Sequence, residues 1–317
     1  MIYTLTLNPA VDISMTIDRL IPEHKLHCSQ PRYDAGGGGI NVSKAIHRLG
    51  GETRAVFTSG GTAGLTLQEL VEKEGIDYEI IGIDGLTREC FVVTETIPNQ
   101  QFRFGTPGPT LSPAEATACL AHLRALPRPI QYLVASGSLP PGLPADFYAQ
   151  IARFAKAQHI RLVVDTAGDA LRQALDAGVF MVKPNLGELA SLIGVDRLEA
   201  DQVHEAAHTL IQAGSCDVVV VSLGARGAVL VTADGTDFVP TPPVKKVSTV
   251  GAGDSLVGGI VYALDQGRSY ADAIRLGVAC GTAATMNAGT ELFHPDAVNR
   301  LLDWINQQHP VLTPDNP

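Results

Sequence analysis

Val218-Val219-Val220-Val221-Ser222-Leu223-Gly224-Ala225-Arg226-Gly227 sets the architecture. Four consecutive valines read as a strand buried on both faces, and such strands belong to parallel sheets covered by helices on either side. The strand runs into a glycine-bearing turn, where α/β sheets place their ligand contacts. Upstream the rhythm is regular. Helices are expected at 112–125, 144–158, 168–177, 185–193 and 199–213, separated by strands at 131–135, 161–165 and 180–182. Ser112-Pro113-Ala114-Glu115 has the spacing of a capping box with proline at the first helical position. Downstream, 228–233 and 236–240 read as a hairpin, and helices at 270–287 and 294–307 follow. Alternation of this kind predicts a three-layer α/β fold with a mostly parallel central sheet.

The first third of the chain has two characters. Residues 2–7 form a buried strand pattern broken at Asn8-Pro9-Ala10, which puts Asp12 just past a strand end. Ala35-Gly36-Gly37-Gly38-Gly39-Ile40-Asn41 leads into a helix with Val42, Ala45, Ile46 and Leu49 on one face, stopped by Gly50-Gly51. A strand at 53–58 and a helix at 62–75 continue the α/β rhythm. Residues 13–34, 78–83, 90–97 and 101–104 instead alternate apolar and polar, with turns at Asp84-Gly85 and Pro98-Asn99. They predict a small antiparallel sheet with one apolar face, which needs cover as a lid over a cleft or a clasp between subunits. With no repeat or linker in view, 1–317 reads as a single domain, its last residues Thr313–Pro317 frayed.

Composition narrows the function. The chain of 317 residues is 45% hydrophobic and 18% charged, with 33 acids against 23 bases and a net charge of −10. That balance argues against a broad nucleic-acid or anionic-membrane surface. Met1–Leu7 is a strand pattern without the basic start of a signal peptide, and no apolar run reaches membrane-spanning length. The five cysteines are widely spaced, with no Cys-x-x-Cys, as expected for reduced thiols in a cytoplasmic protein.

The chemistry concentrates in Ser248-Thr249-Val250-Gly251-Ala252-Gly253-Asp254-Ser255, where a helix opens near Ala252. A helix N-terminus offers free N–H groups to an anion, and glycines let the backbone approach it. Asp254 at the mouth of such a hole repels a phosphate but suits a base for a hydroxyl attacking one. An ordinary turn with an N-cap aspartate uses the same residue types. Strand ends supply further candidates at 8–12, 136–142, 183–188 and 222–227. Lys183 is a point cation for a phosphate. Asn185 and Glu188 lie one helical turn apart, where Glu188 either orients hydrated Mg²⁺ or simply favours the helix dipole. Ser222, Gly224 and Gly227 either cradle a nucleotide or make a tight turn. No Walker pattern occurs, and the Gly36 run lacks the third glycine of a dinucleotide fingerprint.

Together, Gly36–Asn41, Asn185-x-x-Glu188, Ser222-x-Gly224-x-x-Gly227 and Thr249–Asp254 resemble, in order and spacing, the PfkB (ribokinase-like) family of sugar kinases over nearly the whole chain. The resemblance implies transfer of the ATP γ-phosphoryl group to a sugar hydroxyl, with Asp254 as base and Gly251, Ala252 and Gly253 as anion hole. It assigns Asn185 and Glu188 to Mg²⁺ and the phosphates. Lys183, Ser222, Gly224, Gly227, Ser248 and Asn287 fall to the nucleotide site, and Asp12, Gly37, Gly38, Asn41 and Ser138 to the sugar. A K⁺ site in several relatives falls on Ser248, Val250, Ala284, Asn287 and Gly289. The family's β-sheet lid, which often clasps a homodimer, falls on about 13–34 and 86–104. Within the family the chain most resembles the minor bacterial 6-phosphofructokinase branch, through Lys25-Leu26-x-Cys28, the four-glycine run, Thr87-Arg88 and Gly137–Gly142. That implies fructose 6-phosphate as acceptor, with Lys25, Arg88 and Arg103 gripping its phosphate. The 1-phosphofructokinase and tagatose-6-phosphate kinase branch usually carries lysine where Gly38 stands, although Thr6–Asp12 is like that branch.

Overall fold

A computed structural model of the chain describes residues 1–97, 100–289 and 291–308. The turn expected at Pro98-Asn99 and the fraying expected at Thr313–Pro317 lie outside those residues.

The chain opens with β1 (Ile2–Thr6), β2 (Ala10–Ile17), β3 (Arg32–Gly36), α1 (Gly38–Arg48), β4 (Thr53–Ser59) and α2 (Gly61–Lys73). It continues through β5 (Asp77–Gly82), β6 (Arg88–Glu95), β7 (Gln100–Phe104), α3 (Pro113–Ala125), β8 (Tyr132–Ser136) and α4 (Phe147–Ala157). Then come β9 (Arg161–Asp165), α5 (Gly168–Ala177), β10 (Val179–Val182), α6 (Leu186–Ile193), α7 (Val203–Gln212) and β11 (Cys216–Ser222). The hairpin β12 (Ala228–Val231) and β13 (Thr236–Val239) precedes α8 (Ala252–Asp265), α9 (Tyr270–Ala284) and α10 (Pro295–Gln308).

Nine of the described strands form one sheet in the order β13-β12-β11-β10-β9-β8-β1-β4-β5. The run from β11 to β5 is parallel, and only the β12–β13 hairpin at one edge is antiparallel. The valines of β11 divide by the strand period of two. Val218 and Val220 pack under α1, α8, α9 and α10, while Val219 and Val221 pack under the layer of α3 to α7. All four are fully buried, as a central strand with helices on both sides requires. Strand order reverses at β1, which is flanked by β4 on one side and β8 on the other. That switch point opens a crevice at the carboxyl ends of the strands. The capping box at Ser112 is present, with Glu115 returning to the Ser112 backbone N–H at 2.7 Å.

Four strands form the second sheet, in the order β3-β2-β6-β7. Two sequence expectations are corrected here. Segment 78–83 does not belong to this sheet, because β5 pairs with β4 at the edge of the large one. Nor is the small sheet wholly antiparallel, since β2 and β6 run parallel over eight residue pairs. Between them the chain passes through the large sheet twice, at β4 and β5, and so returns in the same direction. Residue alternation reports which face is buried and carries no information on strand direction. A third correction concerns 18–31, where the alternation of Leu26 and Cys28 suggested a strand. The chain is irregular there and strand structure resumes only at Arg32. Val11, Ile13 and Ala35 bury the outer root of this sheet against Leu67 and Val71 of α2.

Candidate active site

The α8 N-terminus is built as its sequence suggests. Gly251 caps it in the left-handed conformation (φ 72°), and the Ser255 N–H donates to the Gly251 carbonyl at 2.9 Å. A Cβ on Gly251 would stand 2.3 Å from Leu292 Cδ2, so space and φ both require glycine. Asp254 lies in the first turn, and its Oδ2 accepts a hydrogen bond from Asn41 Nδ2 at 2.9 Å. Residues 213 apart in sequence thus meet across the crevice between α1 and α8. Burial pushes the Asp254 carboxyl up to about 6, helped by the nearby charges of Asp165 and Asp12 and opposed by Asn41 and Lys183. It is therefore a stronger base than an ordinary aspartate and still ionised at neutral pH.

Lys183 Nζ pairs with Asp165 Oδ1 at 3.2 Å. Burial alone would lower the lysine, but the charges of Asp165 and Asp254 outweigh it and raise it. The Asp165 carboxyl is raised in turn by burial, with Lys183 opposing. Lys183 also lies against Gly253, 3.3 Å from where a Cβ would be. One ammonium therefore sits among two carboxylates and the helix end.

Asn185 and Glu188 form a reciprocal capping box on α6. The Glu188 N–H donates to Asn185 Oδ1, and Glu188 Oε2 accepts from the Asn185 N–H, both at 2.9 Å. The two side chains therefore first satisfy the helix end. Glu188 also borders two surface cavities, one with Gly168, Arg172 and Asn185 and one with Ser138, Asp165 and Thr166. Ser222 is joined to this end of the sheet through a bridge to Asn185 and an N–H donated to the Pro184 carbonyl at 3.1 Å. Beyond it, Gly224–Arg226 is one 3-10 turn closed by the Leu223 N–H on the Gly227 carbonyl.

The glycine run docks α1 onto the crevice. Gly37 caps the helix and the Asn41 N–H donates to the Gly37 carbonyl. A Cβ on Gly38 would lie 2.1 Å from Ser136 Oγ at the end of β8, so a larger residue there needs a shifted backbone. Asp12 was expected past a strand end. It instead lies inside β2, in register with Asp34 and Cys90, its carboxylate packed on the Gly36 backbone. β1 ends at Thr6 and only Leu7–Pro9 separate it from β2, so the chain passes straight into the small sheet. Ser138 Oγ accepts from Asn8 Nδ2 at 3.2 Å. Asn41 Oδ1 and Asn8 Oδ1 are buried and accept nothing from the described residues, which leaves both open to a hydroxyl donor.

The cations of the small sheet are less committed to the crevice. Arg88 donates to three backbone carbonyls, those of Thr106 and Asn8 at 2.9 Å and that of Pro9 at 3.4 Å. Arg103 reaches from β7 to Thr249 Oγ1 at 2.7 Å and to Gln101 Oε1 at 3.2 Å. Lys25 is exposed in the irregular segment, with no hydrogen bond or ion pair to the described residues. Ser248 is buried, within 3.4 Å of the Gln101 amide, and accepts the Val250 N–H at 3.2 Å. The N–H groups of Val247 and Ser248 donate to the Thr285 carbonyl, which sets this irregular segment beside the end of α9, where Ala284, Asn287 and Gly289 lie. Asn287 donates its Nδ2 to the carbonyls of Ala283 and Leu292.

Sequence reasoning missed Asp165 and Gln101. Asp165 ends a buried strand whose limits were legible, and the carboxyl-end rule applied to the loop after 161–165 would have found it. Gln101 carries no such signal, because its partner Ser248 is 147 residues away.

The chain belongs to the pfkB family of carbohydrate kinases, which its residues 5–297 match. It is 40% identical to an ATP-dependent 6-phosphofructokinase isozyme 2 of Mycobacterium tuberculosis, over 99% of this chain and 95% of that one. The phosphofructokinase-2 of Escherichia coli, solved in complex with substrates and products, superposes with a TM-score of 0.92 at 38% identity, covering 96% of this chain and 99% of that one. The same enzyme in complex with potassium gives a TM-score of 0.91 at 38% identity with the same coverage.

Proposed function

We propose that this kinase phosphorylates fructose 6-phosphate at its 1-hydroxyl with MgATP. The observation that carries the reading is the Asp254–Asn41 pair at the α8 N-terminus, with Lys183 beside it. Asn41 fixes one Asp254 oxygen, so the other is oriented towards a hydroxyl in the crevice. The Gly251, Ala252 and Gly253 backbone and Lys183 receive the negative charge of the phosphoryl group in flight. Asp254 accepts the hydroxyl proton late, since a loose transition state needs little activation of its nucleophile. Asp12, Gly37, Gly38, Asn41 and Ser138 hold the sugar hydroxyls. Arg88 and Arg103 hold the sugar phosphate after exchanging their present partners, and the exposed Lys25 joins them.

Among the described residues no three His, Cys, Asp or Glu side chains are grouped closely enough to hold a metal alone. Asp165 and Glu188 on one cavity rim fit Mg²⁺, which takes one or two carboxylates and completes its shell with water and phosphate. Bound there, it would neutralise phosphate charge. Ser222, Gly224, Gly227, Ser248 and Asn287 line the path for the nucleotide. The carbonyls of Val250, Ala284, Asn287 and Gly289 near Ser248 suit K⁺. The chain acts as one domain, with the small sheet as lid and homodimer clasp, and Tyr33 and Phe104 exposed on it support that role. It works in the cytoplasm, binding neither nucleic acid nor membrane; no helix among the described residues is long and apolar enough to cross a bilayer.

A second acceptor reading, a 1-phosphofructokinase or tagatose-6-phosphate kinase, draws on Asn8 at the crevice. The close approach of Gly38 to Ser136 speaks against it, because the lysine usual in that branch does not fit without movement. The test is ADP release from MgATP with fructose 6-phosphate, fructose 1-phosphate, tagatose 6-phosphate and unphosphorylated sugars. Preference for fructose 6-phosphate is expected. Preference for either of the other phosphates would replace the acceptor and leave the Asp254 mechanism standing.

A further inference from the structure

Leu292 is the one bulky apolar residue among the described residues with a left-handed backbone (φ 60°), and it is completely buried. A branched hydrophobe rarely adopts that conformation, and where one does the surroundings impose it. Here three successive carbonyls are held by side chains. Arg48 Nη1 donates to the carbonyls of Glu291 and Phe293, the latter at 3.0 Å, and Asn287 Nδ2 donates to the Leu292 carbonyl at 2.7 Å. Arg48 is itself anchored by Glu74 at 2.9 Å. The outcome of this clamp is specific. The Leu292 side chain is driven against Gly251, its Cδ2 only 2.3 Å from the position a Cβ there would take. Gly251 is the cap residue of α8, and its peptide unit begins the anion hole.

We propose that Leu292, clamped by Arg48 and Asn287, is a positioning residue for phosphoryl transfer. It acts as a stop behind Gly251 that holds the α8 N–H groups at the geometry needed when the phosphoryl group is in flight. The proposal rests on the reading of Gly251–Asp254 as the catalytic helix end. Arg48 approaches from α1, whose other end carries the sugar-side Gly37–Asn41 run. The clamp therefore references the anion hole to the same helix that positions the acceptor. Misplacement of such donors costs turnover and leaves ground-state binding nearly untouched, because their stabilisation is greatest in the transition state.

The experiment compares wild type, Leu292→Ala and Leu292→Met for kcat, both KM values, thermal midpoint, and affinity for ADP alone and for ADP–aluminium fluoride with sugar phosphate. Leu292→Ala should lower kcat about tenfold, with both KM values and ADP affinity within about twofold, and weaken the aluminium fluoride complex in step with kcat. Leu292→Met, which refills the space, should restore most of the loss. Equal kcat for Leu292→Ala and wild type overturns the proposal. So does weakening of ADP and ADP–aluminium fluoride by the same factor, which would mark a merely structural residue. If Leu292→Ala does not fold, Arg48→Met takes its place and is judged by the same ratio, since it removes the donor to the Glu291 and Phe293 carbonyls and keeps the leucine. Failure of the kinase reading itself would appear differently, as absent turnover in the wild type.

Discussion

The carboxyl-end loops of the large sheet and the small sheet above them hold their charges in opposite ways. In the large sheet, Lys183, Asp165 and Asp254 are set among one another on strand ends and a helix start whose positions the core fixes. In the small sheet, Arg88 rests on three backbone carbonyls, Arg103 rests on Gln101 and Thr249, and Lys25 is exposed. On the proposed reading the first region is preorganised for phosphate and has little reorganisation left to do. To bind the sugar phosphate as proposed, the arginines of the second would trade protein partners for ligand, so its affinity would depend on where the sheet sits. On the proposed reading, catalytic power belongs in the body and the grip on the acceptor phosphate in the small sheet.

Four perturbations test that division, beginning with the largest. Asp254→Asn should lower turnover by at least about 10² with ATP affinity kept, measured by steady-state assay and nucleotide binding. Turnover that survives would remove Asp254 from the mechanism. The same variant should be more stable than wild type at pH 8. Folded Asp254, near 6, holds its proton more tightly than the unfolded chain does. Stability thus falls as pH rises from about 4 to about 6, by roughly 1–2 kcal/mol after allowance for solvent screening. Asparagine escapes that loss, and the advantage should vanish below pH roughly 4 in denaturant titrations.

Arg88→Ala should raise KM for the sugar phosphate about tenfold and change kcat much less, which is the lid signature. An equal drop in kcat would mean that the lid shares in the chemistry. The pH profile comes next. With a base near 6, log kcat should fall with decreasing pH below about 6 and be flat above it, and Lys183→Met should move the break upward by removing a favourable charge. A downward move would contradict the charge assignment. Lys25→Ala should have the smallest effect on monomeric protein, raising KM for the sugar phosphate about threefold, because Lys25 is exposed and no partner among the described residues holds it toward the crevice. A large effect confined to dimeric protein would place Lys25 at a site shared between subunits.

The legible parts of this molecule are those whose cause is local. The alternating β/α rhythm, the Ser112 capping box and the helix beginning at Ala252 follow from periodicity and end chemistry, which act over a few residues. So does the placement of Asp254, Lys183, Asn185 and Glu188, each at a strand end or a helix start. The two-sided burial of Val218–Val221 needed no more than their composition. The illegible parts are pairings over long separations. Alternation in 78–83 matched that of the lid strands, yet β5 went to the large sheet because α2 delivers it beside β4. Parallel pairing of β2 with β6 and the place of Asp12 within β2 depend on where intervening units return the chain.

The sequence by itself determined the fold class, the glycine-capped start of α8 and the residue types gathered at the strand ends, because backbone propensity and side-chain charge are properties of short segments. The tertiary structure alone decided that Asn41 holds Asp254, that Asp165 shares Lys183, that Gln101 meets Ser248, and that Leu292 closes on Gly251. Those contacts join residues brought together only by strand order, by the packing of α1 beside α8 in one helix layer and by the placement of the small sheet, and burial at these meeting points strengthens them.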